Sequence, residues 1–339
     1  MNPGSTQNAP LVEVQGLQRV FRGGVRSPLG RFGLGRRLEC RAVDGVDLAI
    51  ARHETFGLVG ESGCGKSTLG KVILDLLPPS GGTVRFDGRQ PGAWDRKTFR
   101  RRAQLVFQDS LGALDPRHSI LAQVREPLDI HAVGVPAERR AEAARMLQEV
   151  GLGEAFHDRY PHQLSGGQQQ RAVIARALVL KPDFVVCDEP VSALDVSIQA
   201  QVINLLRDMQ QRYGLTYLFI SHDLSVVRHS ADRIGVMYLG RLVELADGED
   251  LFQRPLHPYT RALIAAVPIP DPRLKRDRHL LRGDPPSPFA PPPGCHFHTR
   301  CPHAQARCRA EVPALRDTGG GHRVACHFAE RLAQPEGVA

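Results

Sequence analysis

The chain has 339 residues, 42% of them hydrophobic, and a formal net charge of +8. That length exceeds the usual size of one domain, so a large core with an appendage is expected. No run of 18 apolar residues occurs and the stretch from Met1 to Pro10 is polar, which excludes a membrane-spanning helix and a signal-peptide core and predicts a cytosolic product.

From residue 11 to 50 apolar and polar positions alternate, as in Leu11-Val12-Glu13-Val14 and Val43-Asp44-Gly45-Val46-Asp47-Leu48. This predicts antiparallel strands. Between them, Arg22 to Arg41 carries six arginines, many glycines and one acidic residue, Glu39. It reads as an inserted basic loop, either solvated or set beside lipid headgroups or a partner.

The apolar run Thr55 to Val59 predicts a buried strand. It leads into Gly60-Glu61-Ser62-Gly63-Cys64-Gly65-Lys66-Ser67-Thr68, and a helical pattern from Lys66 to Leu77 follows. The nine residues fit the phosphate-loop pattern GxxxxGK[ST] at every fixed position, in the strand–loop–helix context it requires. Glycines let backbone N–H groups converge on phosphate oxygens. Lys66 supplies a point charge for the β- and γ-phosphates, and the Ser67 hydroxyl is placed to ligate Mg²⁺. A chance glycine turn would not bring that flanking context. Thr83 to Phe86, ahead of the Asp87-Gly88 turn, reads as another strand.

From about Asp109 to Gln163 the pattern turns helical, most clearly in Ala137 to Val150. Leu164-Ser165-Gly166-Gly167-Gln168-Gln169-Gln170-Arg171 then opens a helix running to Leu178. Glycines and a serine at a helix N-terminus offer free N–H groups and the positive end of the dipole to an anion, although alone they could be a cap. The strand Phe184-Val185-Val186-Cys187 ends in Asp188-Glu189-Pro190. Asp188 suits an Mg²⁺ held through water, and Glu189 suits a base for the attacking water. With Tyr217 to Ile220, these apolar runs between helices predict a parallel sheet. Ile234 to Met237 and Arg241 to Glu244 predict a hairpin around Leu239-Gly240. Nine prolines between Pro268 and Pro293 mark a linker, followed by Cys295, Cys301, Cys308 and Cys326 and a tail after about Ala333.

These motifs, in this order, resemble the ATP-binding subunit of an ABC transporter from about residue 11 to 266. LSGGQQQR, at residues 164–171, is that family's signature. The resemblance implies an α/β P-loop NTPase fold with a parallel-sheet core, an N-terminal antiparallel β subdomain, a helical signature subdomain at about 109–166 and a small irregular Cys-rich extension. It also implies ATP and Mg²⁺ as cofactors. Ser165, Gly166, Gly167 and Gln168 would contact the nucleotide bound by a partner cassette. Gln108, in Leu105-Val106-Phe107-Gln108-Asp109, matches the loop that senses the γ-phosphate and Mg²⁺ and faces the membrane subunit. Ser192-Ala193-Leu194-Asp195 matches the loop that crosses the dimer interface, and His222 matches the switch histidine. The family usually stacks adenine on an aromatic in the first strand region; here Val20 takes that slot and Phe21 is the neighbouring candidate.

Leu256-His257-Pro258-Tyr259-Thr260-Arg261-Ala262-Leu263, the arginine-rich insert and the cysteine tail resemble the oligopeptide/dipeptide permease branch, extending the likeness to about residue 330. The expected domains are a cassette at 11–266, a linker at 267–294 and a Cys-rich domain at 295–330. The cysteine spacing fits neither a zinc ribbon nor a ferredoxin run. The resemblance favours a [4Fe–4S] cluster on the four thiolates. Zinc, with interspersed histidines, and plain packing of reduced cysteines are the alternatives. The implied partners are a second ATPase subunit, two transmembrane permease subunits and an extracytoplasmic solute-binding protein, at the cytoplasmic face of the inner membrane. The same motor could serve nickel or glutathione. A nucleic-acid or ribosome-acting ATPase is opposed by the single cassette and the absence of heptads.

Overall fold

A computed structural model describes residues 9–24, 37–267 and 283–333. The middle of the arginine-rich insert, most of the proline-rich linker and the tail after Ala333 lie outside the described residues. The described strands are β1 (Val12–Gly24), β2 (Arg37–Ile50), β3 (Thr55–Val59), β4 (Gly81–Phe86), β5 (Ala103–Val106), β6 (Phe184–Asp188), β7 (Thr216–Ser221), β8 (Arg233–Tyr238), β9 (Arg241–Asp247), β10 (Arg316–Asp317) and β11 (Arg323–Val324).

The alternating N-terminal region forms a three-stranded sheet in the order β2-β1-β4. Ser80 N–H donates to the Gln18 carbonyl and Asp87 N–H to the Leu11 carbonyl, which sets β4 antiparallel to β1. Val12, Val14 and Leu17 of β1 and Val43, Val46, Leu48 and Ile50 of β2 are buried. They are the apolar positions of the sequence pattern, as a sheet with one wet face requires.

The chain divides into two compact units. One takes residues up to Val12, Ile50–Thr55 and Arg85–Ser221. In it β6 pairs in parallel with both β5 and β7, with Val186 opposite Leu105 and Leu218. Every residue of β6 and β7 is buried, which explains their unbroken apolar runs. The helices Ile120–Ile130, Pro136–Glu149 and Gly166–Leu178 pack on one another. They bury Val124, Leu128, Met146, Leu147, Val173 and Ile174, each contributing about 1.5–3 kcal/mol relative to exposure. The helix Val196–Tyr213, which links β6 to β7, stops at Gly214 in the left-handed region (φ 62°).

The other unit takes Glu13–Ala49, Phe56–Val84 and the residues from His222 onward. Here β3 is parallel to β8, and β8 and β9 form the expected hairpin. Its turn residues Leu239 and Gly240 both take positive φ, 43° and 82°, the twist-matched turn of two-residue hairpins. The helix after the phosphate loop covers Lys66–Ile73 and stops short of Leu77. Asp75 at φ 54° breaks it.

The C-terminal extension is more ordered than the sequence implied. β11 pairs with β9 and β10 with β11, both antiparallel, so the extension continues the sheet. Two-residue strands carry no detectable periodicity, so the sequence pattern does not reveal them. Phe297 packs against Tyr238, His257 and Tyr259, with ring centroids 5.3–5.6 Å apart. No described helix is long and apolar enough to cross a membrane.

Candidate functional site

The phosphate loop leaves the buried strand β3 and enters the helix Lys66–Ile73. Gly60, Gly63 and Gly65 all have positive φ. A Cβ at Gly65 would stand 1.9 Å from the Ala42 carbonyl oxygen, and one at Gly60 2.2 Å from that of Met237, so these glycines are sterically required. The first turn of the helix has no side-chain cap, which leaves its N–H groups to the loop side. Lys66 is buried, and its ammonium donates to the carbonyls of Gly60 (2.8 Å) and Glu61 (3.1 Å). Ser62 and Gly63 are exposed, and Ser67 and Thr68 are half-buried. Cys64 is buried, and burial pushes its thiol up and keeps it protonated.

Two contacts of this loop were invisible in the sequence. Glu61 N–H donates to the Tyr259 hydroxyl at 2.9 Å, and the Glu61 carboxylate is gripped by Arg300. Tyr259 lies in the LHPYTRAL motif, whose spacing alone does not show this contact. His257 caps the helix Pro258–Ala266, its Nδ1 accepting from Tyr259 N–H at 3.0 Å. Burial holds the His257 pKa down at about 4, so the ring is neutral. The buried Glu244 accepts from the N–H groups of Leu256 and His257 and pairs with His322 Nε2 at 2.8 Å. Arg300 had no sequence signal beyond its place beside Cys301.

In the other unit, β6 carries Asp188 at its buried end and Glu189 just beyond it. Glu189 is half-buried with φ 48°, a conformation that costs energy in a non-glycine residue and clusters at functional sites. Its N–H donates to the Ile220 carbonyl. Gln108, exposed two residues past β5, donates to a Glu189 carboxylate oxygen at 3.1 Å. Ser192 Oγ donates to the Glu189 carbonyl at 3.2 Å.

The signature opens the helix Gly166–Leu178 with a reciprocal cap: Ser165 Oγ accepts from Gln168 N–H, and Gln168 Oε1 accepts from Ser165 N–H. Ser165 and Gly166 are exposed, and a Cβ at Gly167 would press to 2.6 Å of the Ile198 side chain. His222 follows β7 and is exposed. Phe21 is partly exposed, with the Arg19 guanidinium 4.6 Å from its ring centroid. One face is thus already taken by a cation, while the ring also lines an open cleft with Arg41 and Ser80.

The four tail cysteines carry free thiols. They line one small cavity together with His298, His303 and His327. Burial pushes the Cys295 and Cys301 thiols up to about 11 and raises Cys326. Among the described residues no three His, Cys, Asp or Glu side chains are grouped as ligands of a metal ion. Two of the histidine rings are engaged by carbonyls, His298 Nδ1 with Cys295 and His327 Nε2 with Glu311.

The family profile of the ABC transporter matches residues 43–192, and that of the oligopeptide/dipeptide transporter C-terminal region matches residues 243–308. The chain is 48% identical over 335 residues to the putative oligopeptide transport ATP-binding protein YkfD of Bacillus subtilis, covering 97% of this chain and 98% of that protein. It is 50% identical over 320 residues to a putative peptide import ATP-binding protein of Brucella ovis, covering 94% and 97%. A dimeric ATP-binding cassette solved in a post-hydrolysis state with ADP and Pi is 29% identical, with a TM-score of 0.60 over 70% of this chain and 98% of that one. The chain belongs to the ABC ATPases, in the branch of the oligopeptide and dipeptide transport ATP-binding proteins.

Proposed function

We propose that this chain binds and hydrolyses ATP and couples hydrolysis to the import of dipeptides or oligopeptides through partner membrane subunits. The observation that carries this reading is the pairing, in one chain, of a complete phosphate loop and signature with the oligopeptide/dipeptide-type C-terminal region. In this reading Gly60–Thr68 cradles the phosphates, Lys66 neutralises them, and Phe21 borders the base. Ser67, Asp188 and Gln108 offer oxygen donors suited to Mg²⁺, which would shield the phosphate charge. Glu189 takes the proton of the attacking water, Gln108 senses the γ-phosphate, and His222 acts as the switch histidine. Ser165, Gly166, Gly167 and Gln168 serve the nucleotide of a second cassette, most simply a different ATPase subunit.

The assembly would comprise that subunit, two transmembrane permeases and an extracytoplasmic solute-binding protein, with this chain at the cytoplasmic face of the inner membrane. The test is peptide uptake in source cells lacking the chain. Uptake should vanish and return with the wild-type chain but not with Glu189→Gln. Intact peptide uptake with lost nickel or glutathione uptake would change the cargo and keep the motor.

The tail supports a second element. Four thiols lining one cavity match the four-thiolate ligand set of a [4Fe–4S] cluster, with zinc as the alternative. The cysteines would have to draw together and lose their protons to hold it. Its role would be structural, since ATP hydrolysis needs no redox step.

A further inference from the structure

We propose that Arg300 is a positioning residue for the phosphate loop, so that the Cys-rich extension completes the nucleotide site of its own chain. Arg300 sits between Phe297 and Cys301, its side chain almost fully buried. Its Nη1 and Nη2 donate to the two carboxylate oxygens of Glu61 at 2.8 and 3.0 Å, a bidentate pair between residues 239 positions apart in sequence. Such forks fix geometry as well as charge.

Glu61 is held at three points. Its carboxylate is on Arg300, its N–H is on the Tyr259 hydroxyl (2.9 Å), and its carbonyl accepts from the Lys66 ammonium (3.1 Å). A displacement of Glu61 therefore moves the cation that meets the phosphates. The extension supplies a firm base for this grip. Phe297 packs among Tyr238, His257 and Tyr259, Arg300 N–H donates to the Phe297 carbonyl, and the Arg300 guanidinium lies 6.0 Å from the Tyr238 ring centroid.

Charge gives the contact its purpose. Glu61 places a carboxylate inside a loop that must receive a polyphosphate. Left alone, it would repel that ligand; paired with Arg300, it is neutralised at close range in a partly desolvated setting. A plain staple between tail and cassette would need neither a carboxylate at this position nor its neutralisation, and this difference can be measured.

The experiment uses the full chain and titrates it with a fluorescent ATP analogue, and measures KM and kcat for ATP in the assembled transporter. Arg300→Gln should weaken nucleotide binding about tenfold, the scale of one lost charge-assisted contact. That loss should appear mainly in KM. Glu61→Gln should cost less. The double variant Glu61→Gln/Arg300→Gln should recover part of the affinity lost in Arg300→Gln, because the unpaired carboxylate is gone while the grip that holds the loop is still missing. Arg300→Lys keeps the charge without the fork and should fall between the two if Arg300→Gln proves too unstable to assay. Unchanged affinity in Arg300→Gln, or a double variant as weak as Arg300→Gln, would overturn the proposal. The inference rests on Gly60–Thr68 being the nucleotide loop. A wild-type chain that binds no ATP would sink that reading, whereas normal wild-type binding unaffected by Arg300→Gln would sink this inference alone.

Discussion

The Gln108 amide donates to the Glu189 carboxylate at 3.1 Å. Parallel pairing of β5 with β6 puts Val106 opposite Cys187, so the same sheet end delivers both residues. The amide sets the orientation of a carboxylate whose own backbone is in an unfavourable region (φ 48°).

Glu189→Gln keeps size and hydrogen-bonding capacity and removes the base. Turnover in the assembled transporter should fall about 10²–10⁴-fold, the span for losing a general base, while ATP binding persists. Single-turnover hydrolysis beside equilibrium binding separates the two. Near-normal hydrolysis would rule Glu189 out as the base.

Lys66 and Ser165 should separate binding from catalysis shared between cassettes. Lys66→Ala removes an ammonium now parked on loop carbonyls, and nucleotide affinity of the isolated chain should drop about 10–100-fold. Ser165→Arg disrupts the cap it shares with Gln168 and adds bulk at an exposed signature. The isolated chain should still bind labelled ATP, whereas hydrolysis in the assembled pair fails. Equal loss of binding in both variants would argue against a signature that serves the partner's nucleotide.

How much of this was legible depends on range. The phosphate loop, the β6 acids and the signature are short segments in which sequence neighbours are structural neighbours, so local pattern marks them and the order of the motifs, with the family resemblance, gives them their roles. The contact between Gln108 and Glu189 follows from the pairing of β5 with β6, and β5 is a strand that the sequence pattern does not single out. Glu61 with Arg300 and Glu244 with His322 join residues 239 and 78 apart. No local period encodes such pairs, and only the folded tail brings them together. Tyr259 is intermediate: its motif was recognised, but its hydroxyl contact depends on where the helix Pro258–Ala266 lands.

His257 should impose an acid limit on stability. Burial holds its folded pKa at about 4, below the value near 6.5 of an unperturbed imidazole. Above pH 6.5 both states are neutral at this ring and nothing is lost. Between 6.5 and 4 the unfolded chain takes up a proton that the folded chain refuses. Stability therefore falls as pH drops, by about 1.4 kcal/mol per unit and about 3 kcal/mol across the window. His257→Asn keeps a capping acceptor for Tyr259 N–H and should flatten that dependence. Urea unfolding at pH 7 and pH 5 measures it; equal slopes in variant and wild type would discard His257 as the source.

The tail makes the last prediction. Cys295 and Cys301 are pushed up to about 11 by burial, so loading a metal centre must expel protons, and loading should weaken as pH falls. Anaerobically purified protein should be brown and carry about four irons per chain. Cys301→Ser should lower the iron content. Because Cys301 directly follows Arg300, it should also loosen the grip on Glu61 and weaken ATP binding in the direction of Arg300→Gln, by a smaller factor. Colourless protein with stoichiometric zinc would transfer the four thiols to the zinc reading. Protein without either metal would leave them as small apolar side chains closing the cavity beside Phe297. In that last case Cys301→Ser should leave ATP affinity unchanged while Arg300→Gln still lowers it, because the guanidinium fork joins Arg300 to Glu61 directly.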